Sequence, residues 1–164
     1  MTNQKYAAIK ANDIVDIDEG ICVSFWTQGC PHRCKGCHNP ETWDFDGGIE
    51  FTEETMQELI KLINANGIHR EFSILGGEPL CPQNLLLVSS IVARIKKEYP
   101  NIRIFLWTGY TLEYLLKSKD ANMQYLLKEI DVLIDGPYIE AQRDIRLPLR
   151  GSANQRVHYK NIDF

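Results

Sequence analysis

The chain has 164 residues, enough for one domain with its own apolar core, so we expect a single domain over residues 1–164. Its formal net charge of −4 is small, so charge favours neither nucleic acid nor an anionic membrane as a partner. No stretch approaches the roughly 18 apolar residues of a membrane span, and the start, Met1 to Asp13, is too polar for a secretion signal; we therefore expect a cytoplasmic protein.

Strand and helix patterns alternate along the first half of the chain. Ile21 to Thr27 is a short β-prone run and predicts the first core strand. Thr52 is a typical N-cap residue, and the apolar residues after it recur at helical spacing, so we expect a helix from about Glu53 to Ala65. Glu71 to Leu75 then predicts a second core strand.

The second half of the chain continues this alternation. An amphipathic helix is expected to pass through Leu85 and Ile95 and to end before Pro100. The later predicted elements are a strand at Ile102 to Trp107, helical segments at Leu112 to Leu116 and Tyr125 to Ile130, and a strand at Asp131 to Ile134. Such alternation is typical of an α/β fold with a mostly parallel sheet and right-handed crossovers.

Four short segments follow the predicted strands. They are Gln28-Gly29-Cys30, Gly76-Gly77-Glu78-Pro79, Thr108-Gly109-Tyr110 and Asp135-Gly136-Pro137. If the strands are parallel, all four segments lie at the carboxyl edge of the sheet, where α/β folds place their functional sites. We therefore expect these segments to converge.

Five cysteines, an odd number, occur without a secretion signal, so a disulfide framework is not expected. Cys30, Cys34 and Cys37 are spaced so that one tight loop can aim three soft thiolates at a single point, which indicates a metal site. Three basic side chains lie between them: His32, Arg33 and Lys35. We expect these to lower the pKa values of the thiols and to offset the charge of a cluster.

Two kinds of metal site fit this loop. A structural zinc ion needs four ligands, and His32 or His38 could supply the fourth. An iron-sulfur cubane is normally held by four cysteines, so three would leave one iron open for a substrate or cofactor. Cys22 and Cys81 could complete either set if the fold brought them close, although small buried side chains are the more ordinary interpretation for both.

The three-cysteine spacing resembles the signature of the radical S-adenosylmethionine enzymes, and Gly76-Gly77-Glu78-Pro79 extends the resemblance. In that family the backbone of the second motif binds the methionine amino group, while the amino and carboxylate groups chelate the open iron. The resemblance thus implies a 4Fe-4S cluster on Cys30, Cys34 and Cys37, S-adenosyl-L-methionine as cofactor, and an incomplete (β/α) barrel. The strand patterns of the sequence indicate about four to six parallel strands.

The resemblance also implies which other residues surround the cofactor. An aromatic residue often precedes the third cysteine in this family, whereas this chain has Gly36. At the remaining strand ends, Thr108 is expected to form a hydrogen bond with the cofactor through its hydroxyl, and Asp135 to make a polar contact near the ribose or the entering glycine loop. The alternative for both segments is an ordinary turn. The complete set of expected cofactor-binding residues is Gly36, Cys37, His38, Gly76, Gly77, Glu78, Thr108 and Asp135.

A closer resemblance is to the small activating proteins of anaerobic ribonucleotide reductase, relatives of the pyruvate formate-lyase activating enzyme. The matching segments are 12–15, 29–43, 76–79, 131–138 and 150–156. This resemblance implies reductive cleavage of S-adenosylmethionine and hydrogen abstraction from a glycine of the reductase large subunit, with a small redox protein as electron donor. No catalytic side chain beyond the cofactor and the cluster is expected.

Three other functions remain open at this point. Another glycyl-radical enzyme, such as pyruvate formate-lyase, could be the partner. A zinc-binding interaction module would use the cysteines and a histidine but would leave Gly76 to Pro79 unexplained. A small electron carrier is disfavoured because only three cysteines cluster.

Two charged segments have less specific interpretations. Ala141 to Lys160 carries a net positive charge in an acidic chain, and it is either a docking segment for the partner or a solvated tail. Asp16 to Gly20 lacks the glycine-rich turn common in relatives and is expected to be a solvated turn.

Overall fold

Strands and helices alternate through the middle of the chain, as the sequence predicts. The computed structural model describes residues 4–164, and Met1 to Asn3 of the predicted domain lie outside the described residues. The strands are β1 (Lys5–Asp13), β2 (Cys22–Thr27), β3 (Ile49–Glu50), β4 (Glu71–Gly76), β5 (Ile104–Trp107), β6 (Val132–Asp135) and β7 (Arg156–Tyr159). The helices are α1 (Glu53–Ile63), α2 (Pro82–Glu98), α3 (Leu112–Leu116) and α4 (Ala121–Glu129).

The strands form one sheet in the order β3-β1-β2-β4-β5-β6-β7. Its middle is parallel, because β2, β4, β5 and β6 pair in parallel with their neighbours. Both edges are antiparallel, since β1 pairs with β2 and β3, and β7 pairs with β6. The predicted α/β class is confirmed, and the sheet is mixed and open.

The four parallel strands end side by side. Thr27, Gly76, Trp107 and Asp135 are the last residues of β2, β4, β5 and β6, and these strands are consecutive in the sheet. The predicted convergence of the four following segments at one sheet edge is therefore confirmed.

Helices cover one face of the sheet. Thr52 caps α1 as predicted, and a capping box with Thr55 adds a second hydrogen bond at this helix end. Alternate strand residues point to opposite faces, so Phe25 and Phe72 enter the main core with α1, α2 and α4, whereas Phe105 enters a smaller cluster on the other face. Each fully buried phenylalanine contributes about 1.5 to 3 kcal/mol of hydrophobic free energy.

Two antiparallel strands, β1 and β7, correct the sequence analysis. Lys5–Asp13 lies in the stretch that the sequence presents as a polar start, yet it forms β1 along β2. Arg156–Tyr159 lies in the predicted basic tail, yet it forms β7 along β6. β7 is an edge strand, and β1 pairs with β3 only at Lys5 and Tyr6, so one side of each strand is largely unpaired. Such strands tolerate polar residues, so neither shows the apolar run of a core strand. Within residues 4–164, no helix has both the length and the apolar character needed to cross a membrane.

Candidate functional site

The cysteine loop leaves the end of β2 and is closed at its base by two backbone hydrogen bonds. The N–H of Gly29 donates to the carbonyl of Thr42 (2.6 Å), and the N–H of Cys30 donates to that of Trp43 (3.2 Å). Gly29 has a φ of +99°, and a Cβ there would lie 2.1 Å from a ring carbon of Phe45. Glycine is therefore required where the strand turns into the loop.

The three loop cysteines are half-buried free thiols. Arg33 and Gly36 have φ values of 49° and 77°, which curl the loop, and the N–H of Asn39 donates to Sγ of Cys37 (3.4 Å). No group of three or more His, Cys, Asp or Glu side chains in residues 4–164 is arranged to hold a single metal ion. In a cubane each thiolate binds a different iron, so three soft donors in one loop with a backbone donor to sulfur fit a cluster.

The basic residues of the loop do not bring the pKa of Cys30 below its ordinary value. Burial raises the pKa of Cys30 to about 11, and backbone hydrogen bonds from His32 and Arg33 offset this only partly. The guanidinium of Arg33 lies 5.6 Å from the ring centre of Trp43, and Nζ of Lys35 lies 4.0 Å from Glu140. The prediction of a lowered thiol pKa is therefore wrong for Cys30, whose ligation at neutral pH has to release a proton.

The glycine motif after β4 is joined to this loop through its backbone. The N–H of Gly77 donates to the carbonyl of Thr27, and that of Glu78 to the carbonyl of Gly29, both at 2.9 Å. A Cβ on Gly77 would lie 2.5 Å from the carbonyl oxygen of Gly29, so only glycine permits this approach. Nδ2 of Asn84, in the first turn of α2, donates to the carbonyls of Gly29 (3.2 Å) and Glu78 (2.9 Å).

The carboxylate of Glu78 contacts several of the segments that follow the neighbouring strands. Its side chain is only 1% exposed, and Oε1 accepts hydrogen bonds from the N–H of Leu80 (2.9 Å) and the hydroxyl of Thr108 (2.7 Å). Oε2 accepts from the N–H of Gly109 (2.7 Å) and lies 2.7 Å from Nε2 of His32. The side chains of Glu78 and Thr108 are thus engaged with each other, and their contact with a cofactor stays a prediction.

Asp135 is a second buried carboxylate at the strand ends. It accepts hydrogen bonds from the N–H of Leu112 (2.7 Å) and from Nη2 (2.6 Å) and Nε (3.1 Å) of Arg156, and Nε2 of His158 lies 3.2 Å away. Burial acts to raise its pKa, but the contacts with Arg156, Leu112 and His158 outweigh it and lower the pKa. Asp135 ties β6 to α3 and β7, and its predicted cofactor contact remains a prediction.

The far end of the cysteine loop lies against the segment after β6. The rings of His38 and Tyr138 are 5.0 Å apart, and a Cβ on Gly36 would lie 2.9 Å from the carboxyl of Glu140. Two residues expected at the cofactor, Gly36 and His38, are thus brought together with Tyr138 and Glu140. The sequence analysis missed these last two, because only a resemblance over 131–138 pointed to this segment.

The other two cysteines are fully buried and are not part of the cysteine loop. Sγ of Cys22, in β2, lies 3.5 Å from the carbonyl of Asp16, and Sγ of Cys81, before α2, lies 3.2 Å from the carbonyl of Glu78. Burial is the largest cause of the raised pKa of both thiols, about 12 in each case. These environments suit small buried side chains.

The chain is similar to known proteins over most of its length. The family described as a 4Fe-4S single cluster domain matches residues 18–158, which include all four strand-end segments. The chain is 43% identical to the anaerobic ribonucleoside-triphosphate reductase-activating protein of Vibrio cholerae over 147 residues, 89% of this chain and 92% of the relative.

The chain belongs to this activating-protein family. The member from Haemophilus influenzae is 38% identical over 154 residues, 93% of this chain and 96% of the relative. The member from Enterobacteria phage T4 is 38% identical over 144 residues, 88% of this chain and 86% of the relative. The activating-protein family thus extends over the cysteine loop, the glycine motif and both buried carboxylates of this chain.

Proposed function

We propose that this chain is an iron-sulfur enzyme, a radical S-adenosylmethionine oxidoreductase. It reductively cleaves S-adenosyl-L-methionine and generates a glycyl radical on anaerobic ribonucleoside-triphosphate reductase by hydrogen abstraction. One observation carries the proposal: a loop with three free cysteines is hydrogen-bonded to a glycine motif at one sheet edge, in a member of the activating-protein family.

The residues of the site have distinct tasks in this proposal. Cys30, Cys34 and Cys37 hold three irons of a 4Fe-4S cluster, and the fourth iron is left for the cofactor. The bound cluster supplies the electron for reductive cleavage of S-adenosylmethionine. The N–H groups of Gly77 and Glu78 already donate to the β2 end, so the carbonyls of this motif accept from the methionine amino group.

The remaining cofactor contacts follow from the positions of the strand ends. In this proposal Gly36, Cys37 and His38 contribute backbone to the cofactor site, and Thr108 and Asp135 contribute side chains. In α/β barrels the functional groups lie at the carboxyl ends of the parallel strands. The predicted cofactor-binding segments of this chain likewise follow the ends of its four parallel strands. The proposal therefore includes an incomplete (β/α) barrel formed by a single domain over residues 1–164.

The substrate in this proposal is a protein backbone, the glycine of the reductase large subunit. A small redox protein donates the electron, and the reaction takes place in the cytoplasm without a membrane or nucleic acid. Because the cluster and the cofactor do the difficult chemistry, the polypeptide has to hold them, orient them and exclude water.

The test is anaerobic reconstitution followed by a radical assay. We expect a brown protein with about four irons per chain that cleaves S-adenosylmethionine only when reduced, and a glycyl radical signal in electron paramagnetic resonance when the reductase is added. Replacing Cys30, Cys34 or Cys37 by alanine should abolish both cleavage and the radical.

The matched controls are Cys22→Ala and Cys81→Ala, which remove the two buried thiols and should retain the cluster. Loss of the cluster in Cys81→Ala would contradict the ligand set. A colourless protein with stoichiometric zinc would support the interaction module instead, and a radical on pyruvate formate-lyase but not on the reductase would show that the partner is wrong.

A further inference from the structure

His32 is the basic residue of the cysteine loop that turns inward. It stands between Cys30 and Cys34 in the sequence, and its side chain is 19% exposed. Arg33 instead faces the ring of Trp43, at 5.6 Å, and the side chain of Lys35 is 93% exposed. Its position inside the loop therefore sets His32 apart from its two basic neighbours.

Three contacts fix the His32 ring. Its Nε2 lies 2.7 Å from Oε2 of Glu78, and its ring packs edge-on against Tyr110 with centroids 4.6 Å apart. A Cβ on Gly109 would lie 2.6 Å from the imidazole, so the backbone after β5 packs closely against the ring. One rotamer is thereby selected by a hydrogen bond, a ring contact and a backbone contact together.

The acceptor in this contact is equally fixed. Glu78 is anchored by the N–H groups of Leu80 and Gly109 and by the hydroxyl of Thr108, so its carboxylate cannot follow His32 if the loop moves. The contact joins residues 46 positions apart and connects the cysteine loop with the ends of β4 and β5. The carboxylate thus serves as a rigid reference point for the loop.

We propose that the hydrogen bond between His32 and Glu78 positions the first half of the cysteine loop, and thereby governs how firmly the cluster is held and what surroundings it has. This inference rests on the proposed function, because it requires a cluster on Cys30, Cys34 and Cys37. His32 is a positioning residue here and binds neither iron nor cofactor. Residues that orient metal ligands in this way typically change metal affinity by about 10- to 100-fold when they are replaced.

The test compares two variants of similar size. His32→Gln keeps a side-chain N–H that can donate to Glu78, whereas His32→Leu fills similar space without a donor. After anaerobic reconstitution of the full chain, iron loss to a chelator and the electron paramagnetic resonance spectrum of the reduced cluster are measured. We expect His32→Leu to lose iron about 10- to 100-fold faster with shifted g values, and His32→Gln to stay near wild type.

The chain contains a matched control pair. Nε2 of His69 also lies 2.7 Å from a glutamate, Glu71, but this pair is at the start of β4 and His69 is 50% exposed. His69→Leu should therefore leave iron release and the spectrum unchanged.

The outcomes separate this inference from the proposed function. Wild-type rates and spectra in His32→Leu, or equal changes in His32→Leu and His32→Gln, would overturn the positioning role while leaving the enzyme assignment intact. A wild-type protein that binds no cluster would overturn both. Far-ultraviolet circular dichroism of each variant shows whether the fold is retained, and the comparison of the two variants removes any general effect of losing the ring.

Discussion

Asp13 and Asp16 form a carboxyl pair near the start of β2, at the end of the sheet opposite the cysteine loop. Burial acts to raise the pKa of Asp13, but hydrogen bonds from Asp16, Ser24 and the Val15 backbone outweigh it and lower the pKa to about 2. Burial, together with the hydrogen bond and charge of Asp13, raises the pKa of Asp16 to about 7, and Lys10 opposes this. The pKa values of the two carboxyls are therefore shifted in opposite directions.

The raised pKa of Asp16 makes stability depend on pH. Its ordinary pKa is 3.8, so its contribution is complete below that pH and is lost as the pH rises through about 7. The contribution of Asp13 has the opposite sign, present above pH 3.8 and lost as the pH falls toward about 2. Between pH 4 and 8, Asp16 is therefore the group of this pair whose contribution to the free energy of unfolding decreases as the pH rises.

We expect Asp16→Asn to remove this loss. The free energy of unfolding of the variant should exceed that of wild type by at least about 1 kcal/mol at pH 8, because one pKa unit corresponds to about 1.4 kcal/mol. The advantage should shrink toward pH 5, as measured by urea unfolding at each pH. Asp18→Asn is the control, since Asp18 pairs with Arg103 and its pKa is lowered. A difference between variant and wild type that does not change with pH would contradict the assignment.

At the residue scale, local spacing predicted the cysteine loop and the glycine motif but not what their side chains contact. The solvated-turn interpretation fits the exposed Asp18 and Glu19 but not Asp16, whose carbonyl accepts from the hydroxyl of Ser73 (2.6 Å). Contacts between residues far apart in the sequence follow from strand order, which periodicity does not supply. The contact between His32 and Glu78 could not be predicted for the same reason, because it joins residues that are far apart in the sequence.

At the element scale, Arg156 connects three elements. From β7 it reaches Asp135 at the end of β6, whose side chain is 1% exposed, and Glu113 in α3, both at 2.6 Å. This use explains why a basic residue occurs in β7, and it leaves Arg156 engaged within the fold. The docking interpretation of the basic segment then depends on its other cations, among them Arg143 and Arg150.

We expect Arg156→Ala to destabilise the protein by about 2 kcal/mol. The substitution leaves Asp135 buried without its cation, and Arg156 is 45% exposed, so the cost stays below the roughly 3 kcal/mol or more of a fully buried pair. Urea unfolding measures the difference. Arg146→Ala is the control, because Arg146 is 87% exposed and pairs with nearby Asp144, so it should cost less than about 1 kcal/mol. Equal effects of the two substitutions would exclude the proposed role of Asp135.

The core elements were predictable because their apolar residues carry the period of a strand or a helix. β4, β5 and β6 were each placed to within two residues, and α1 ends at Ile63 rather than Ala65. The helix stops early because its C-cap, Asn64, leaves helical geometry with a φ of −119°. β1 and β7 were not predictable, since a strand near the edge of the sheet is defined by its neighbour more than by its own apolar pattern.

At the scale of the whole molecule, the proposed cluster site lies beside the core. The main core consists of apolar residues from the strands and from the helices, and none of the three loop cysteines belongs to it. The loop itself is held by few backbone hydrogen bonds, among them those of Gly29, Cys30 and Cys37. The sheet should therefore fold without metal, whereas the cysteine loop should become ordered only when its cysteines bind iron.

We expect iron removal to change the loop but not the sheet. Metal binding stabilises the segments that it orders, so chelation under anaerobic conditions should raise amide hydrogen exchange in residues 29–43. Exchange in β4, β5 and β6 should stay unchanged, because Phe72, Ile104 and Leu133 are fully buried independently of the loop. Hydrogen exchange with mass spectrometry checks both regions, and circular dichroism checks the overall helix and strand content. A protein that loses its sheet together with its iron would place the cluster inside the folding core, contrary to the separation of loop and core seen here.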